Sequence, residues 1–111
     1  ENLKVIPNEI FKTTQIEELH LYYNKITQIP KEICLLDNLS LLIICSSKIK
    51  KIPKELFQLK NLQKIDLSDN KINSIPKEIC QLKCLKFLYL SNNKIKNIPE
   101  ELCQLNNPRR I

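Results

Sequence analysis

A stretch of 23 residues is written four times in succession along this chain, and that repetition constrains the fold more than any other feature. The copies are IEELHLYYNKITQIPKEICLLDN at 16–38, LSLLIICSSKIKKIPKELFQLKN at 39–61, LQKIDLSDNKINSIPKEICQLKC at 62–84 and LKFLYLSNNKIKNIPEELCQLNN at 85–107. No insertion separates them. A partial copy occupies 1–15, where Leu3, Ile6, Pro7, Glu9 and Ile10 match Ile26, Ile29, Pro30, Glu32 and Ile33. A fixed period in this range signals a stack of equivalent turns, so residues 1–111 read as one domain. Residues 108–111 start in phase for another strand, but Pro108 stands where Leu belongs. With Arg109 and Arg110 it reads either as a crude cap blunting a sheet edge or as the break point of a longer array.

Each repeat has two halves with different periods. The first, such as Leu62-Gln-Lys-Ile65-Asp-Leu67, ends in strict alternation, which predicts a strand with one buried face. Stacked copies would form a parallel sheet. In the second half, Pro30, Pro53, Pro76 and Pro99 suit the first position of a short helix, where no amide donor is needed. A glutamate two residues later meets the positive end of the helix dipole. Ile75, Ile79 and Leu82, spaced i, i+4, i+7, give one apolar stripe. The expectation is a short α or 3₁₀ segment on the outer side. No single repeat carries enough apolar surface to offset the entropy of ordering it, so stability must come from stacking.

The pattern L-x-x-L-x-L-x-x-N-x-I-x-x-I-P-x-E-I-x-x-L-x-x, held over nearly the whole chain, resembles the leucine-rich repeat family. Its 23-residue type looks like that of intracellular Ras-group scaffolds and of similar bacterial and parasite proteins. The resemblance implies an α/β solenoid with a parallel sheet on the concave face and short α or 3₁₀ segments on the convex face. It also implies a non-enzymatic protein–protein interaction module without a cofactor. Asn24, Asn70 and Asn93 match the family's ladder of asparagines, which bond neighbouring backbone where the strand ends. Ser47 interrupts that ladder; its hydroxyl is expected still to bond, with less reach, at a local cost of about 1 kcal/mol.

Five cysteines are present, and no cluster of them flanks the array as in the family's disulfide-capped extracellular members. Cys34, Cys80 and Cys103 share one repeat position with Phe11 and Phe57, which argues for packing. Free buried thiols fit a reducing compartment, so a cytoplasmic location is expected. Cys80, Cys84 and Cys103 fall near one another, but a structural zinc site needs four ligands and usually a C-x₂-C knuckle, and no metal site is expected. The single histidine, His20, sits in an outward column with Asp66, two strands away at roughly 10 Å, too far for a triad. With no glycine there is no phosphate-cradling loop, and no catalytic residue is assigned. No apolar run is long enough to cross a membrane. Net charge is +6, carried by lysines in columns such as Lys25, Lys48, Lys71, Lys94 and Lys31, Lys54, Lys77. Without aromatic platforms these read as a solvated face rather than a nucleic-acid site, and neither nucleic acid nor a membrane is expected as a partner.

The concave face is the candidate site. Alternation places Glu18, Leu41, Lys64 and Phe87 in one outward column and His20, Ile43, Asp66 and Tyr89 in the next. Tyr22 and Tyr23 begin two more. Aromatic and aliphatic side chains exposed together, rimmed by charge, suit a protein partner. Two other readings remain open at this point: a self-associating structural segment, and a basic tether to phosphate-rich ligands.

Overall fold

The computed structural model describes residues 3–98. Strands β1 (Glu18–Tyr22), β2 (Leu41–Cys45), β3 (Lys64–Asp66) and β4 (Phe87–Tyr89) lie in sequence order as one parallel sheet. Each pairing is offset by 23 residues: Glu18 faces Leu41, Leu41 faces Lys64 and Lys64 faces Phe87. Helical segments return the chain along the opposite side, at Asn8–Lys12, Lys31–Leu35, Lys54–Gln58 and Lys77–Gln81. The expected solenoid, with a parallel sheet on one side and short helical segments on the other, is what the chain adopts. Pro99, Cys103, Pro108, Arg109 and Arg110 lie outside the described residues.

The helical segments are 3₁₀ throughout, and the prolines stand one position earlier than expected. Pro30 has φ −70° and ψ 154°, an extended N-cap conformation rather than a helical one. Its carbonyl accepts from Ile33 N–H at 3.1 Å, Ile33 accepts from Leu36 at 3.1 Å, and Leu36 accepts from Leu39 at 3.0 Å. The turn therefore advances in steps of three, and Ile33, Leu36 and Leu39 are all fully buried. Period three replaces the i, i+4, i+7 stripe. A 3₁₀ segment rises about 2.0 Å per residue against 1.5 Å for an α-helix, so it crosses the convex side in fewer residues. Between sheet and 3₁₀ layer the buried Leu and Ile side chains form one continuous core running the length of the stack. The position shared by Phe11, Cys34, Phe57 and Cys80 alternates large and small; both phenylalanines are buried and both cysteines half-buried.

Where each strand ends, the backbone bends through left-handed φ at Tyr23 (54°), Ser46 (56°), Asp69 (60°) and Asn92 (56°). A chain without glycine must accept this on residues with a Cβ, and Asp and Asn tolerate it best. The ladder residue follows at once. Asn70 Nδ2 donates to the carbonyls of Ile44, Leu67 and Ser68 at 2.8–3.2 Å, while its Oδ1 accepts from Ile49 N–H at 3.1 Å. Asn93 repeats the set on Leu67, Leu90, Ser91 and Ile72. Asn24 Oδ1 takes the N–H of Leu3 at 3.0 Å, which ties the partial first turn to the stack.

Ser47 does not keep the weaker bond expected of it. Its Oγ is buried without a partner, because the hydroxyl sits on a stem too short to reach the preceding turn. A second ladder runs near the end of the convex segment: Asn38 Nδ2 donates to Thr14 O at 3.3 Å and Asn61 Nδ2 to Asp37 O at 3.1 Å. Cys84 occupies its next rung and has no amide to give. Restoring the amides should therefore stabilise the fold. Ser47→Asn is expected to raise unfolding free energy by about 1–2 kcal/mol in urea titration, and Cys84→Asn, at an exposed site, by less than about 1 kcal/mol. A loss of stability in Ser47→Asn would show that this turn is too tight for an amide.

Candidate interaction face

The register places the outward side chains of the four strands in rows across one face. Glu18, Leu41, Lys64 and Phe87 form the first row, and His20, Ile43, Asp66 and Tyr89 the second. Tyr22 and Cys45 begin the third. Tyr23 stands at the left-handed bend beyond β1, beside Tyr22. All ten residues singled out in the sequence thus meet on one side of the sheet.

They are not equally accessible. Tyr23 is 75% exposed, and Tyr22 and Phe87 43% each. Ile43, expected to stand out from the sheet, is only 6% exposed, and Leu41 is half-buried. The cause is position: β2 has a strand on each side, so Ile43 lies between His20 and Asp66, and Leu41 between Glu18 and Lys64. The aliphatic pair is a floor rather than a contact surface. An Asp at position 43 would bury a charge and lower stability, so it is no neutral probe of binding.

The aromatic side chains of this face divide into two groups, with Tyr89 half-buried. On the β1 side the rings of His20 and Tyr22 lie 6.2 Å apart, and those of Tyr22 and Tyr23 6.4 Å. On β4, Phe87 and Tyr89 stack with centroids 6.2 Å apart and planes within 4°. The Lys64 ammonium sits 5.4 Å from the Tyr89 centroid, within the range of a cation–π attraction. Three strand spacings, roughly 14 Å, separate β1 from β4.

His20 Nε2 lies 3.0 Å from Glu18 Oε1, and its Nδ1 is 3.5 Å from Tyr22 Oη. The carboxylate His20 meets is thus Glu18, two residues away on the same strand face, and not Asp66. The row is open to water, with side-chain exposures of 41% for His20 and 60% for Glu18, so it orients the ring without enclosing a substrate. Cys45 is different. Burial, reinforced by the Asp66 carboxylate beside it, pushes its thiol up to about 12, and Sγ donates to Asp66 O at 3.7 Å. It is a neutral, unreactive part of the floor. Among the described residues no three His, Cys, Asp or Glu side chains gather in a metal-ligating group. Among them, too, no helix is long and apolar enough to cross a membrane.

Two leucine-rich repeat family models match the chain, one over residues 37–95 and the other over 15–36. No curated protein matches it. Among solved structures, a leucine-rich repeat protein of Leptospira interrogans is 42% identical with a TM-score of 0.94, over 97% of this chain and 28% of that one. The leucine-rich repeat ectodomain of the Arabidopsis thaliana receptor kinase GASSHO1/SCHENGEN3, solved with CASPARIAN STRIP INTEGRITY FACTOR 2, is 31% identical with a TM-score of 0.79. That match covers 94% of this chain and 13% of the ectodomain. A plant ice-binding protein is 28% identical with a TM-score of 0.76, over 87% of this chain and 33% of that one. The chain thus spans at most a third of the length of these relatives. On its repeats, its stacked sheet and these matches, the chain belongs to the leucine-rich repeat family.

Proposed function

We propose that this domain is a scaffold that binds a protein partner across the concave face, through the two aromatic groups on either side of the Leu41–Ile43 floor. Leucine-rich repeat domains are generally protein–protein interaction modules, and typically non-enzymatic ones. The observation that carries the reading here is Tyr23. A tyrosine at φ 54° occupies the position where two other turns place Asp or Asn, at a strain of about 1 kcal/mol or more. It is 75% exposed, so burial does not compensate. Strain on an exposed aromatic is what a contact residue would require and a purely structural one would not.

The partner would bridge both groups. Large, stiff aromatic side chains give contact area at little entropic cost, and the charges of Glu18, His20, Lys64 and Asp66 would set its orientation.

Two outcomes are expected. Tyr23→Asn should raise unfolding free energy by about 1 kcal/mol while weakening partner capture from the source organism's lysate. The pair Phe87→Ala/Tyr89→Ala should lose the same captured protein with little change in melting temperature. Retention of an identical set of proteins by both variants and the wild type would remove the concave face from consideration. A destabilised Tyr23→Asn would instead give Tyr23 a structural role.

A further inference from the structure

We propose that one edge of the solenoid, where each strand passes into the next 3₁₀ segment, is a docking surface for an anionic lipid bilayer. Segments 3–8, 25–31, 48–54, 71–77 and 94–98 form this edge, and they hold eleven lysines and no aspartate or glutamate. Every one of those lysines is exposed. Among the described residues none of them makes an ion pair. Solubility alone would be served by lysines anywhere on the surface. Here eleven of the chain's sixteen fall in these segments; the nearest acidic column, Glu9, Glu32, Glu55 and Glu78, lies in the first turn of the 3₁₀ helices, directly after Asn8, Lys31, Lys54 and Lys77, and bounds the edge on that side.

The backbone fixes where these lysines are attached. The N–H groups of Lys25, Lys48, Lys71 and Lys94 donate to Leu3, Ile26, Ile49 and Ile72 of the preceding turn at 2.7–2.9 Å. That sets the four lysines' backbone positions in one row at the turn-to-turn spacing of about 5 Å. Lys31, Lys54 and Lys77 make a second row, six residues further along each loop, and Lys4, Lys50, Lys51 and Lys96 lie between the two. Farther inside, Asn73 N–H bonds Lys50 O and Lys96 N–H bonds Asn73 O. Like charges held side by side repel one another in the free protein, and an anionic surface relieves that repulsion.

The layout selects the partner. Three lysine sets side by side make an area of charge rather than a line, which a plane of phosphate headgroups matches better than a single extended polyanion. The edge has no arginine and no aromatic ring, which disfavours recognition of nucleic acid through its bases. Flexible lysine stems suit a fluid headgroup layer, where each lysine near an anionic surface is worth about fivefold in binding. Docking by this edge leaves the concave face free.

Sedimentation of the full chain with phosphatidylcholine vesicles, with and without phosphatidylserine as about a third of the lipid, tests the proposal. Binding only to the phosphatidylserine vesicles is expected, with loss in about 0.5 M salt, which screens charges beyond a few ångströms. Lys48→Glu/Lys71→Glu/Lys94→Glu should weaken it about a hundredfold or more with an unchanged melting curve, and Phe87→Ala/Tyr89→Ala should sediment like the wild type. Equal binding to both vesicles, or none, overturns the proposal. So does failure on vesicles with retention on heparin or single-stranded RNA, which would assign the edge to a linear polymer. Loss of sedimentation in the aromatic variant would move the contact to the concave face and equally overturn it.

Discussion

Each turn of this molecule must reverse its backbone at the end of a strand, without glycine, in the interior of a stack. The bend exposes carbonyls that strand pairing no longer satisfies, and buried polar groups without partners are costly. The ladder asparagine resolves both problems in one side chain. Asn70 accepts from the turn before it and donates to three carbonyls, one of them, Ile44 O, on that same preceding turn. Its hydrogen bonds therefore link turns as well as close them. These bonds join successive turns alongside the parallel strand pairing. At Ser47 the joint between the first two full turns lacks this side-chain link and rests on the five-residue pairing of β1 with β2.

A stack in strict register makes the sheet a fixed lattice. Residues 23 apart become neighbours whatever they are, so the concave surface can vary without moving the frame. Exposure on that surface is then set by lateral neighbours. Ile43 is apolar and faces outward, yet it is covered because His20 and Asp66 stand on either side of it. Tyr22 and Phe87 lie on the outer strands of the described sheet and stay open. The aromatic groups are separated by the apolar Leu41 and Ile43 of β2 and the charged Lys64 and Asp66 of β3, with the Cys45 thiol held neutral by burial.

The same lattice segregates charge. One repeat position aligned over successive turns becomes a column, so lysine after each ladder position becomes the row Lys25, Lys48, Lys71 and Lys94. One glutamate column, Glu9, Glu32, Glu55 and Glu78, lies in the first turn of the 3₁₀ segments, where the helix dipole favours it. The domain consequently presents two surfaces of different chemistry, an aromatic face and a basic edge, on elements that do not overlap.

The repeat length, the parallel sheet and the in-out alternation of every strand residue were all legible in the sequence, because 23-residue periodicity leaves only one way to superpose the buried leucines and isoleucines. So were the ladder positions and the set of residues sharing the concave face. The tertiary structure decided what depends on distances between turns. It set the convex segments to 3₁₀ rather than α and moved the prolines to the N-cap, since the rise per residue must match the width of the sheet side. It left Ser47 Oγ unpaired, a matter of side-chain reach, and showed the Asn38 and Asn61 rungs as a second ladder. It brought Glu18 to His20 and buried Ile43. Alternation tells which side of a strand a residue faces, but only the neighbouring strands determine whether water reaches it.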